Sequence, residues 1–227
     1  MEDRIILVDK PAGISSFGVV AKVRGALRVE FGHKIKVGHT GTLDPFATGL
    51  LILLSGKMTK KSTEFLKLDK WYEATMRLGY ISTTGDPEGE IREFSRENAE
   101  GAKAVSLVEA EQVVAGFVGK IWQTPPRYSA IKINGQRAYR LARKGVEFEV
   151  PKREVEIYAI EILRYEWPEL LVRCHASSGT YIRTLAEDIG EALGTGAYLT
   201  TLRRLKIGEY DVKDAVRLEE LVSKRGQ

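Results

Sequence analysis

Twelve residues, Gly38 to Gly49 (GHTGTLDPFATG), carry the densest chemistry in the chain: three glycines, three threonines, His39 and one carboxylate, Asp44. Glycine lets a backbone approach a ligand closely or take left-handed dihedrals. A lone carboxylate is ionised at neutral pH without special tuning, so Asp44 can serve as a nucleophile or a base. Asp followed by Pro favours turn initiation and puts Asp44 on a loop. The apolar run Leu50 to Leu54 follows at once, so the segment reads as an active-site loop leading into a buried strand. No G-K-[ST] closes it, so it is not a Walker phosphate loop.

Elements must hold that loop. Arg4 to Asp9 reads as a strand, followed by the turn Lys10-Pro11-Ala12-Gly13. Ser15 or Ser16 can cap a helix whose apolar positions are Phe17, Val20, Val23, Leu27 and Phe31. Thr59 to Leu66 predicts a short helix. Lys70 to Tyr80 alternates as a strand. Thr84 to Glu90 is a turn-rich loop, and Ser106 with Glu109 forms a capping-box pattern before a helix reaching about Phe117. Asn134-Gly135 marks a tight turn, and Gln136 to Lys144 a short basic helix stopped by Gly145. Glu154 to Arg164 and Leu170 to Ala176 read as neighbouring strands. Thr180 to Leu193 is an amphipathic helix ended by Gly194. A strand over about Lys206 to Tyr210 and a helix over Asp214 to Lys224 finish the chain. Strands interleave irregularly with helices, so the expected fold is α+β with a central, mainly antiparallel sheet flanked by helices.

Composition narrows the function classes. The 227 residues are 43% hydrophobic and 29% charged, ordinary for a globular protein with one sizeable core. No apolar run approaches a membrane span, and the first ten residues lack a signal-peptide pattern, so a cytoplasmic protein is expected. The single cysteine, Cys174, excludes an internal disulfide and a cysteine-rich zinc site; it reads as a buried strand residue. No metal and no cofactor are expected. Net charge is only +4, yet Lys120 to Arg153 holds nine basic residues against Glu147 and Glu149. Such a stripe on a near-neutral body suggests a polyanionic partner.

GHTGTLDPFATG resembles the signature of the tRNA pseudouridine synthase B (TruB) family. Further segments resemble the same family in the same order. These are Asp9-Lys10-Pro11-Ala12-Gly13 with Ser15-Ser16, then Lys70-Trp71-Tyr72, and Tyr128-Ser129-Ala130-Ile131-Lys132. Ser178-Gly179-Thr180-Tyr181-Ile182-Arg183 and Leu202-Arg203-Arg204-Leu205 complete the set. The resemblance thus covers most of the chain, from Asp9 to Leu205.

The resemblance implies a pseudouridine synthase fold and the roles that go with it. Asp44 would be catalytic, Arg183 would pair with it, and Tyr72 would stack on the target uracil and could help remove its C5 proton. Leu202 would pack against the base, and His39 would fill the space a flipped nucleotide leaves. Lys10, Tyr128, Lys132 and Arg143 would contact RNA, the last three from a basic thumb loop over about 124–153. The implied substrate is the T-loop of tRNA at uridine 55, acted on by a monomer with no obligatory protein partner and no membrane.

The implied organisation is a catalytic domain over 1–210 and a short helical tail over 211–227, without the full PUA-like RNA-binding domain seen in many members. Two other functions fit the same residues: a guide-RNA-dependent, dyskerin-type synthase, and a non-catalytic protein that binds or folds tRNA. A phosphate-binding metabolic enzyme using the glycine loop is a further alternative; it would lack the salt dependence of RNA contacts.

Overall fold

The computed structural model describes residues 2–95, 104–129, 131–133 and 135–223. Asn134, and with it half of the expected turn, lies outside the described residues, as does Ala130. The first elements are β1 (Ile5–Lys10), α1 (Ser16–Phe31), β2 (Val37–His39), β3 (Thr48–Ser55), a 3-10 turn (Gly56–Lys61), α2 (Ser62–Leu66) and β4 (Lys70–Leu78). Next come β5 (Tyr80–Ser82), β6 (Ile91–Glu93), α3 (Leu107–Ala115), β7 (Gly119–Gln123), β8 (Lys132–Ile133), β9 (Gln136–Arg137) and α4 (Ala138–Arg143). The rest are β10 (Arg153–Glu166), β11 (Glu169–Ala176), α5 (Ile182–Leu193), β12 (Ala197–Ile207), β13 (Tyr210–Asp211), a 3-10 turn (Val212–Asp214), β14 (Val216–Arg217) and α6 (Leu218–Ser223). This is an α+β fold with mainly antiparallel strand pairing, as expected. Among the described residues no helix is long and apolar enough to cross a membrane.

The chain divides into two units, 1–72 with 202–227, and 73–201. In the first, strands run in the order β14-β1-β3-β12, with β2 on β3 and β13 on β12. β1 and β3 are antiparallel; β1–β14 and β3–β12 are the parallel pairs. The sequence TGLLILLS makes β3 a buried strand by alternation. Leu51 and Leu53 join Ile6, Val8, Val20, Val23 and Leu27 under α1, while Leu50, Ile52 and Leu54 pack with Phe65 and Ile207. α1 begins where Ser15 Oγ accepts from Gly18 N at 3.0 Å.

In the second unit the order is β4-β11-β10-β7, with β10 antiparallel to both β11 and β7. Cys174 is buried in β11, its thiol pushed up to about 12 by burial, which suits the structural reading of this residue. The capping box forms as expected, with Ser106 and Glu109 satisfying each other's backbone amides. α5 ends at Gly194, whose φ of 73° terminates the helix in the left-handed region.

Two expectations near the C-terminus are corrected. The last long strand is not 206–210 but Ala197–Ile207, and the expected helix from Asp214 is a 3-10 turn, the short β14 and α6 from Leu218. Leu199, Leu202, Arg204 and Ile207 are all buried, so β12 lacks the clean apolar/polar alternation that marks a half-buried strand.

Candidate active-site loop and its supports

β2 and β3 form a hairpin, and the loop between them carries Asp44. Thr40 N donates to Ile52 O at 3.0 Å and closes the hairpin end. Beyond that point the chain turns at Asp44-Pro45, with Ala47 N donating to Asp44 O at 3.2 Å. Proline has no amide to give, so the carbonyls around the turn need donors from elsewhere. Lys10 supplies them. Its Nζ donates to Pro11 O at 2.9 Å, Pro45 O at 3.1 Å and Ala47 O at 2.6 Å. Gly13 N adds a second bond to Pro45 O at 2.9 Å. On the other side of Asp44, Ser16 Oγ accepts from Leu43 N at 2.8 Å and donates to Leu43 O at 2.9 Å. The residues before and after Asp44 are thus tied to β1 and α1, while Asp44 itself is half-buried.

Lys10 is 0% exposed. Its ammonium is turned inward onto three backbone carbonyls, so in this structure it acts as a clamp on the loop.

A second clamp comes from β12. Arg204, 2% exposed, donates from Nε to Leu50 O at 2.8 Å and from Nη2 to Gly41 O at 3.2 Å. Its backbone lies so close to Gly49 that a Cβ there would sit 2.2 Å from Arg204 O, which leaves room for glycine alone at φ 100°. Arg203 forms a two-point pair with Asp9, Nη1 to Oδ1 at 3.0 Å and Nη2 to Oδ2 at 2.8 Å. Burial first, and the Arg204 charge second, hold His39 below its ordinary pKa and so keep its ring neutral. Its Nδ1 is buried without a hydrogen-bond partner among the described residues. Leu202 and Tyr72 are each 8% exposed. Lys70, two residues before Tyr72, donates to Leu66 O at 2.8 Å and to Leu68 O.

In the second unit Arg183 lies in the first turn of α5, 4% exposed. Nη1 donates to Thr84 O and to Asp86 Oδ2, each at 3.0 Å, and Nη2 donates to Tyr128 O at 3.0 Å. Asp86 is itself buried and fixed, its Oδ1 accepting from Thr84 Oγ1 at 2.6 Å and from Glu88 N at 3.0 Å. Asp86 lies in the turn-rich loop over Thr84 to Glu90 and is not among the site residues expected from the sequence. The signal was there: Asp86-Pro87 beside Gly85 repeats the Gly/Asp-Pro chemistry of the Asp44 loop.

The expected RNA-contact residues of this unit are spread along the basic loop. Tyr128 is 43% exposed, with its carbonyl on Arg183. Lys132 opens β8, opposite Arg137, and Arg143 is the exposed last residue of α4. Arg127 lies over the Phe148 ring at 5.1 Å.

The carboxylate loop is thus held from both sides on an α+β scaffold of mainly antiparallel strands. The model for the N-terminal domain of TruB family pseudouridylate synthases matches residues 27–182, and that for the tRNA pseudouridylate synthase B C-terminal domain matches 183–225. The chain belongs to the TruB family and is a pseudouridine synthase, an isomerase.

It is 44% identical over 218 residues to a tRNA pseudouridine synthase B of Endomicrobium trichonymphae, covering 96% of this chain and 90% of that one. It is 46% identical over 221 residues to a tRNA pseudouridine synthase B of Desulfotalea psychrophila, covering 93% and 85%. Among solved structures, a Cbf5-Nop10-Gar1 complex contains a chain that superposes with a TM-score of 0.72 at 31% identity. That match covers 98% of this chain and 54% of the other, so the chain spans about half the length of that relative.

Proposed function

We propose that this enzyme acts in the cytoplasm and isomerises uridine 55 in the T-loop of tRNA, as a monomer without guide RNA or an obligatory protein partner. The observation that carries the reading is the Asp44 loop, whose neighbours on both sides are fixed by Lys10 and Ser16 while the carboxylate is left on a turn. The named relatives at 44–46% identity support tRNA as the substrate. The identity to the matched chain of the Cbf5-Nop10-Gar1 complex is lower, 31%.

The reaction breaks the bond from ribose C1′ to uracil N1, turns the base and joins C1′ to C5. The proton leaves C5 and N1 gains one, so atoms balance and no electron is transferred. Asp44 acts at the flipped nucleotide as the nucleophile or base. Arg183, carrying a permanent charge, pairs with Asp44 and keeps it ionised in a dry site. Tyr72 stacks on the uracil and assists loss of the C5 proton, and Leu202 packs against the base. A neutral His39 costs less to insert into a base stack than a charged one, which suits it to fill the vacated space. The basic loop over 124–153, with Tyr128, Lys132 and Arg143, closes on the RNA by phosphate contacts and stacking.

The site assignment is tested with two unmodified tRNA transcripts, one natural and one with cytidine in place of uridine 55. Modification of the first and not the second supports it; modification of both at another uridine contradicts it.

A further inference from the structure

The basic loop starts and ends on a cross-strand pair. Gln123 closes β7, Arg153 opens β10, and the two are register partners. Both hold Tyr181. Gln123 is 0% exposed; its Nε2 donates to Tyr181 O at 3.3 Å and its Oε1 accepts from Tyr181 N at 3.1 Å. A primary amide has one face with a donor beside an acceptor, so here it imitates a neighbouring strand against a single residue. From the opposite strand, the Arg153 guanidinium lies over the Tyr181 ring, 4.5 Å from its centroid. One residue therefore has its backbone fixed by one foot of the loop and its ring by the other.

Two further bonds run from the loop to the same turn of chain. Thr184 Oγ1 donates to Thr124 O at 3.3 Å, and Arg183 Nη2 donates to Tyr128 O at 3.0 Å. Neither Gln123 nor Arg153 needs these contacts for its own strand, since the β7–β10 ladder is made by backbone groups. What the contacts fix is the segment 181–184, where α5 begins.

We infer that Gln123 and Arg153 are positioning residues that couple the seating of the basic loop on RNA to the orientation of Tyr181 and Arg183. The inference rests on the reading of Arg183 as the partner of the catalytic carboxylate. Phosphates that draw in the lysines and arginines of the loop load its two feet, and both feet bear on Tyr181. RNA binding at the loop and the arrangement of the first turn of α5 then share one equilibrium, which is the physical content of coupling between two sites.

The test uses the full chain and compares Gln123→Met, Arg153→Met and Arg153→Lys with wild type. Single-turnover pseudouridine formation in an unmodified tRNA transcript, the Kd for that transcript and the thermal midpoint are measured. Each Met variant is expected to slow the single-turnover rate by about tenfold or more while Kd stays within about threefold, because orientation and not affinity is lost. Arg153→Lys should recover most of the rate, since an ammonium can also sit over the ring. Wild-type rates in both Met variants overturn the inference. So does a loss confined to Kd, or an Arg153→Lys no faster than Arg153→Met. If Gln123→Met does not fold, the two variants of the partly buried Arg153 decide the matter. A wild type that modifies no tRNA overturns the functional reading and the inference together, whereas active wild type with indifferent variants overturns the inference alone.

Discussion

Arg183 and Asp86 form a buried ion pair, Nη1 to Oδ2 at 3.0 Å, with side chains 5% and 3% exposed. The pair fixes the guanidinium from its own unit and leaves Arg183 with a partner whose charge cannot be removed cheaply. Asp86→Ala strands a buried cation, and a loss of about 3–5 kcal/mol in unfolding free energy is expected by denaturant titration. Asp86→Asn keeps a hydrogen-bond acceptor and should fold better, yet slow the single-turnover reaction. Equal stability of Asp86→Ala and wild type would contradict this account of the pair.

Lys10 offers a second test. Its ammonium serves carbonyls of Pro11, Pro45 and Ala47, and truncation leaves buried acceptors unpaired at about 1–3 kcal/mol each. Lys10→Met is expected to lower stability and to reduce the rate with little change in tRNA affinity, read by filter binding beside the kinetics. A variant that loses affinity and keeps its rate would return Lys10 to the RNA surface.

Gly49 faces the Arg204 backbone at a distance no side chain fits. Gly49→Ala combines left-handed strain with overpacking, for a cost of about 2–5 kcal/mol. Differential scanning calorimetry should show a clearly lower midpoint; an unchanged one would mean that β3 and β12 do not meet this closely.

His39 is expected to titrate below 6.5, with burial as the main cause and Arg204 as the second. The sign follows from linkage. The unfolded chain takes up the proton near 6.5 while the folded chain resists it, so between the two pKa values acidification favours unfolding. Stability from this group is present above 6.5 and is lost as pH falls through the folded value. NMR titration of the imidazole resonances reads the midpoint directly. In Arg204→Met it should rise yet stay below 6.5, since burial remains; a wild-type midpoint at or above 6.5 would show that the ring is not held neutral.

Local order was legible where local chemistry sets it. The helix started by Ser15, the Ser106–Glu109 capping box, the buried strand after Gly49 and the stop at Gly194 all follow from patterns within a few residues. The residues that support the loop were not legible, because their meaning lies in distant partners. Lys10 reads as a turn lysine until Pro45 and Ala47 are seen against it. Arg204 reads as a loop arginine until its strand is found to be buried, and Gln123 has no signal apart from Tyr181. Asp86 could have been found from its likeness to Asp44-Pro45, although one Asp-Pro step alone marks only a turn.

The central claim is that Asp44 performs the isomerisation in tRNA. The most direct test is pseudouridine mapping by carbodiimide labelling and primer extension. It uses an unmodified tRNA transcript without guide RNA, for wild type and Asp44→Asn, with tRNA binding measured in parallel. The account predicts a stop at uridine 55 with wild type, and none with an Asp44→Asn variant that still binds tRNA. Wild-type modification that survives in Asp44→Asn would contradict it, as would a folded wild type that binds tRNA and modifies nothing.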